Sequence, residues 1–102
     1  VILFSAVADK EYGTMIEILC REVPAKQYII TEIEDGRKVS ARELAEVFSR
    51  YTNREVCICP DVKKAFLTAA AKKGNGKLFC VGSLYLIGEI RRMIKEKEVE
   101  MN

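Results

Sequence analysis

The chain contains no histidine. That absence removes Ser-His-Asp and Cys-His nucleophilic sites and every histidine-based zinc site. The 102 residues also hold no Gly-x-x-x-x-Gly-Lys-Ser/Thr run, so they encode no phosphate loop. Gly74-Asn75-Gly76 is too short for a dinucleotide fingerprint, and it ends a helical pattern instead of opening one. No apolar run is long enough to span a bilayer. The longest, Val1 to Ala8, also lacks the basic leader and cleavage site of a signal peptide. A formal net charge of +2, with both signs mixed along the chain, makes no concentrated basic face for nucleic acid or an anionic membrane.

Four cysteines are present, Cys20, Cys57, Cys59 and Cys80, but no CxxC pair. Cys57 and Cys59 alternate within Glu55-Val56-Cys57-Ile58-Cys59, so both face one side of a strand. They read as reduced thiols serving as small core hydrophobes, which places the chain in a reducing, cytoplasmic compartment.

Nearly half of the residues are hydrophobic (49%), enough for a packed core, and the length allows one domain, 1–102. Strand and helix patterns alternate four times. Val1–Val7 reads as a strand buried on both faces. Asp9 is a candidate cap for a helix over Glu11–Glu22, which Pro24 stops. Lys26–Thr31 is a second strand, and Asp35-Gly36 marks a turn in the loop after it. Ser40 with Glu43 forms a capping box before a stripe of Leu44, Val47, Phe48 and Tyr51. Arg54–Cys59 is a third strand. Pro60-Asp61 opens a helix with Val62, Ala65, Phe66, Ala69 and Ala70 on one side, and Lys72 and Lys73 suit its last turn. Lys77–Val81 is a fourth strand. Gly82-Ser83 turns into a last helix whose stripe reads Leu84, Ile87, Ile90, Arg91 and Ile94, and Lys95–Asn102 is a charged tail. Repeated βαβ units predict an α/β fold: a three-layer αβα, Rossmann-like domain with a mainly parallel sheet of about four strands. Analogy with half of a doubly wound sheet suggests the order 3-2-1-4.

In such a sheet, ligands bind beyond the carboxyl ends of the strands. That edge gathers Asp9, Lys10, Glu11 and Tyr12 after strand one, Thr31, Glu32, Asp35 and Arg37 after strand two, Pro60 and Asp61 after strand three, and Gly82, Ser83 and Tyr85 after strand four. Gly82 lets the backbone turn sharply and lets a ligand approach. The Ser83 hydroxyl and the free N–H groups of the last helix suit a carboxylate or phosphate, and Ser83 serves equally as a plain helix cap. The Arg37 guanidinium can grip a carboxylate, or stand solvated in its loop. Asp9 and Lys10 suit a ribose and a phosphate, or a helix cap and a surface lysine. Glu11, Glu32 and Asp61 have no stronger claim than acids at helix starts and in loops.

The run Phe79-Cys80-Val81-Gly82-Ser83-Leu84-Tyr85-Leu86-Ile87-Gly88-Glu89-Ile90-Arg91 resembles the closing signature of folylpolyglutamate synthases, including the bifunctional bacterial enzymes that are also dihydrofolate synthases. Asp9-Lys10-Glu11-Tyr12 is similar to that family's Asp-Lys-Asp-Tyr element, with Glu for the second Asp. The loop Thr31–Arg37, followed by Glu43-Leu44, falls where the family and the wider Mur ligases have Asn-Pro-Arg, although here it reads Asp35-Gly36-Arg37. Order and spacing agree over essentially the whole chain.

The resemblance implies a C-terminal domain, Mur ligase-like, of an ATP-dependent ligase that joins L-glutamate to folates through an acyl phosphate. It implies glutamate binding by Ser83 and Tyr85, with Arg37 as a further carboxylate partner, and nucleotide contact by Asp9 and Lys10. ATP and magnesium would be held mainly by an N-terminal domain that this chain lacks. The family's C-terminal domain begins one strand and one helix earlier, with an Asp-Gly-Ala-His-Asn element. The chain therefore reads as a truncated domain, inactive alone, with no residue of its own assigned to catalysis. Loss of the preceding segment is expected to leave an open edge or apolar patch beside strand one or strand four, through which the chain self-associates. The competing reading is a stand-alone α/β binding or interaction module without catalysis.

Overall fold

The computed structural model describes residues 1–8, 11–23, 25–33, 38–82 and 84–96, with 84 and 85 in their backbone alone. Eight elements alternate: β1 (Ile2–Phe4), α1 (Tyr12–Glu22), β2 (Gln27–Ile30), α2 (Ala41–Tyr51), β3 (Glu55–Ile58), α3 (Val62–Lys73), β4 (Phe79–Val81) and α4 (Leu84–Lys95). The strands form one parallel sheet in the order β3-β2-β1-β4. Among the described residues no helix is long and apolar enough to cross a membrane.

Local chemistry explains the helix ends. The Ser40 hydroxyl accepts from the Glu43 N–H at 3.1 Å, and Asp61 Oδ1 accepts from the Lys64 N–H at 2.9 Å. Each satisfies one amide that helix geometry leaves unpaired. Gly74, at φ 53°, ends α3 in the left-handed region that favours glycine, and Lys72 and Lys73 sit in that last turn. Asp9 and Pro24, expected to cap and to stop α1, lie outside the described residues. The position before α1 is Glu11, whose side chain makes no cap bond.

Alternation along the strands builds a core on each face. Ile2, Phe4, Tyr28 and Ile30 meet Ile16 of α1 and Leu44 and Phe48 of α2. Phe48 is the hub: its ring lies 5.2 Å from Phe4, edge to face, and 4.9 Å from Tyr28. Leu3 and Ile29 face the other way, onto Ala65, Phe66 and Ala69 of α3 and Leu86, Ile90 and Met93 of α4. The domain is thus an αβα sandwich, with α1 and α2 on one face and α3 and α4 on the other.

Three expectations shift in detail. β1 is shorter than Val1–Val7, because the chain leaves the parallel ladder after the Ser5 N–H bond to Val81. Val7 instead forms an isolated antiparallel bridge with Lys38. The buried stripe of α4 is Leu86, Ile90 and Met93, one position off the expected one, and Ile87 and Ile94 are 36% and 38% exposed. Tyr51 is likewise exposed at the end of α2. All four cysteines are free and only partly buried. They pack against the two cores, and burial raises the pKa of Cys20, Cys59 and Cys80.

Candidate functional site

The order β3-β2-β1-β4 reverses direction at one place. From β1 the chain moves outward through α1, β2, α2 and β3 on one face. It then returns through α3 to the opposite side of β1, and α4 follows on the other face. The connections leaving β1 and β4 therefore diverge to opposite faces although their strands are neighbours. That divergence marks a topological switch point at their carboxyl ends, the place where open α/β sheets bind ligands.

Ser5 and Gly82 meet at this switch point. The Ser5 N–H donates to the Val81 carbonyl at 3.4 Å, continuing the β1–β4 ladder by one residue. Gly82 has φ 105°, and a Cβ there would stand 2.1 Å from the Ser5 carbonyl oxygen and 2.9 Å from the Phe4 ring. Glycine is thus demanded by the closing of β4 onto β1. This is a nearer cause than the approach of a ligand, the role its sequence context suggested. Ser5 shares the strand face of Leu3 and Val7, on the side of α4. Its hydroxyl is fully buried, and among the described residues it is the buried side-chain polar atom left without a hydrogen bond. An unpaired buried hydroxyl costs about 1–3 kcal/mol.

The loop after β2 closes the other side. The Thr31 N–H donates to the Phe4 carbonyl at 2.9 Å, and the Val39 N–H donates to the Ala6 carbonyl at 3.1 Å. The fully buried Thr31 hydroxyl donates to the Pro60 carbonyl at 3.1 Å, so its role is to tie β2 to β3. Glu32 Oε2 accepts from the Ala41 N–H at 2.9 Å, and its Oε1 pairs with Lys38 Nζ at 3.1 Å. The helix amide first, and the lysine second, hold this carboxyl below the usual glutamate range. Glu32 and Ser40 thus share the start of α2.

Of the residues predicted for the site, Asp9, Lys10, Arg37 and Ser83 lie outside the described residues, as does the side chain of Tyr85, whose backbone belongs to the first turn of α4. What the structure places is their flanks. Val7 is bridged to Lys38, two residues before Asp9 and one after Arg37, and Gly82, just before Ser83, rests on Ser5. The three predicted segments therefore leave from neighbouring points at one end of the sheet. Ser5 and Glu32 were the residues sequence reasoning undervalued. The signal for Ser5 was a lone hydroxyl in an otherwise apolar strand run.

An open hollow of about 690 Å³ lies at the opposite end of the sheet, lined by Lys26, Lys72, Lys73, Lys77, Glu55 and Phe79 among others. It is remote from the switch point and has no part in the predicted chemistry. Among the described residues no group of three or more His, Cys, Asp or Glu is placed to hold a metal ion. Comparison of the chain with protein families, with curated proteins and with solved structures gives no match.

Proposed function

We propose that this chain is the C-terminal, substrate-binding domain of an ATP-dependent ligase of the folylpolyglutamate synthase kind, acting in the cytoplasm. Its task there is to hold the incoming L-glutamate while another part of the enzyme activates the folate carboxylate as an acyl phosphate. The observation that supports this reading is the switch point between β1 and β4. Gly82-Ser83-Leu84-Tyr85, the most family-like run in the sequence, begins there, beside a buried and unpaired Ser5 hydroxyl.

The chemistry favours a carboxylate. The first N–H groups of α4 have no partner within the helix, and their dipoles sum to a partial positive charge. Ser83 and Ser5 add hydroxyl donors, and the Arg37 loop leaves the sheet beside Val7. Within this reading ATP and magnesium would be held mainly by another part of the enzyme, with Asp9 and Lys10 contacting the nucleotide. Within the proposal, this domain binds and orients the amine nucleophile.

Amide chemical shifts of the isotopically labelled chain, titrated with L-glutamate, test the reading. Shifts are expected at Ser5, Gly82 and Leu86, with little response to D-glutamate. Ser5→Ala should abolish most of the Ser5 and Gly82 response and raise thermal stability, because a hydroxyl without a partner is removed. L-glutamate at tens of millimolar that moves none of these amides would leave the stand-alone interaction module as the better account.

A further inference from the structure

We propose that Cys57 and Cys59 together form a site for a soft, closed-shell monovalent cation of the Cu(I) or Ag(I) kind, held between two thiolates. The site is carried by β3, two strands from β1, and does not depend on the ligase reading.

The two thiols are presented on one face of a fixed strand. Both pack at the margin of the core under α3 and α4, whereas Val56, beside Cys57, packs against the opposite core. Cys57 is paired with Ile29 in the parallel ladder, and the Cys59 N–H donates to the Ile30 carbonyl at 2.8 Å. The Pro60 carbonyl accepts from both the Thr31 hydroxyl and the Glu32 N–H. Pro60 also favours extended backbone at Cys59, because the residue before a proline avoids the helical region. Both thiols are free and partly exposed, so a small ion can reach them. The elements that position them, β2, β3 and α3, lie in the middle of the chain.

Spacing selects a bridging ion over a disulfide. Two residues along an extended strand place same-face Cβ atoms about 6.6 Å apart. A disulfide needs them at about 3.8 Å, and β3 is tied to β2 on both sides of the gap. Metal–sulfur bonds of about 2.3 Å span about 4.6 Å between sulfurs, so each side chain has to lean only about 1 Å toward the other.

The donor set then selects the ion. Among the described residues no third His, Cys, Asp or Glu joins the pair. Zinc asks for four ligands, while soft thiolates select Cu(I), which accepts two ligands in line. The Asp61 carboxylate is engaged elsewhere, with Oδ1 accepting from the Lys64 N–H at 2.9 Å. The Cys59 thiol donates to the Asp61 carbonyl at 3.8 Å, a long contact that is given up when the ion binds. Binding breaks two S–H bonds and forms two S–Cu bonds. The two protons pass to the solvent and copper remains Cu(I), so no electron is transferred. Burial first, then the neighbouring Cys57 and Asp61, raise the Cys59 thiol, and Lys64 acts in the opposite sense. A cation between the two sulfurs cancels the repulsion between them. Cys20 and Cys80 lack this arrangement: Cys20 is on α1, and Cys80 is on β4, three strands and about 14 Å from β3.

Anaerobic titration of the reduced chain with Cu(I), delivered as its bathocuproine disulfonate complex, tests the proposal. The chain should withdraw one equivalent and give a complex of one chain and one copper by native mass spectrometry. Cys57→Ser and Cys59→Ser should each weaken binding at least a hundredfold, and Cys20→Ser combined with Cys80→Ser should bind like the parent. In the parent chain, one equivalent of Cu(I) should slow alkylation of Cys57 and Cys59 by N-ethylmaleimide and leave the rates at Cys20 and Cys80 unchanged, a readout that requires no variant. A chain that withdraws no copper overturns the proposal. So does retention of parental affinity by either single variant, protection centred on Cys20 or Cys80, or a complex in which one copper joins two chains.

Discussion

The two ends of the sheet are built differently, although the same strands run through both. At the carboxyl end the backbone is tied down residue by residue: Ser5 to Val81, Thr31 to Phe4, Cys59 to Ile30, Val39 to Ala6, with Gly82 pressed onto Ser5. At the amino end the strands open onto a hollow lined by lysines, where fewer backbone bonds, such as Phe79 to Val1, are joined by contacts of long surface side chains such as Lys72 with Glu55 at 3.7 Å. Stability and specificity at the first end therefore reside in backbone geometry, which tolerates no added atom. At the second they reside in flexible side chains, which tolerate many.

The largest effect is expected at Gly82. Gly82→Ala must leave φ 105° or drive its Cβ into the Ser5 carbonyl, and the strain and overpacking together cost about 3 kcal/mol or more. The urea midpoint measures this, and a change within about 0.5 kcal/mol would break the contrast between the two ends.

Glu32→Gln comes next. The substitution removes a carboxylate that caps α2 and pairs with Lys38, a loss of about 1–2 kcal/mol near neutral pH. The sign with pH follows from the lowered pKa of Glu32. A carboxyl with a depressed folded-state pKa contributes its full stabilisation above the ordinary glutamate value of about 4.3 and loses it as pH falls through the folded value. The parent and Glu32→Gln should thus converge in stability as acid is added below that range. A gap that is constant with pH would show that the cap is not electrostatic.

The smallest effect belongs to the amino end. Lys72→Met breaks an ion pair whose side chains are 40% and 66% exposed, and should change stability by no more than about 0.5 kcal/mol. A loss comparable to that of Glu32→Gln would show the hollow to be as tightly built as the opposite end.

Much of this architecture was legible before any coordinates. The apolar run around Phe4, Leu44 and Phe48 of the α2 stripe, Ser40 and Asp61 as caps and Gly74 as a stop each follow from a local rule, and all are found. The strand order, expected by analogy with half of a doubly wound sheet, is found as well. Elements that depend on a neighbour were harder. Ile87 and Leu86 are adjacent and equally apolar, and only the position of α3 beside α4 decides which of them is buried. Glu32 looked like one loop acid among several, because its partner, the Ala41 amide, lies nine residues on.

By itself, then, the sequence determined the alternation of strands and helices, their caps, the two-faced burial of the central strands and the family-like run at Gly82. These properties arise from short-range sterics and from the periodicity of apolar residues. Tertiary structure alone decided that Gly82 closes onto the Ser5 carbonyl, that the Ser5 hydroxyl is buried there without a partner among the described residues, and that Leu86 and not Ile87 is buried in α4. Each of these is a relation between segments distant along the chain. It is set by which surfaces pack together, and no window of local sequence contains it.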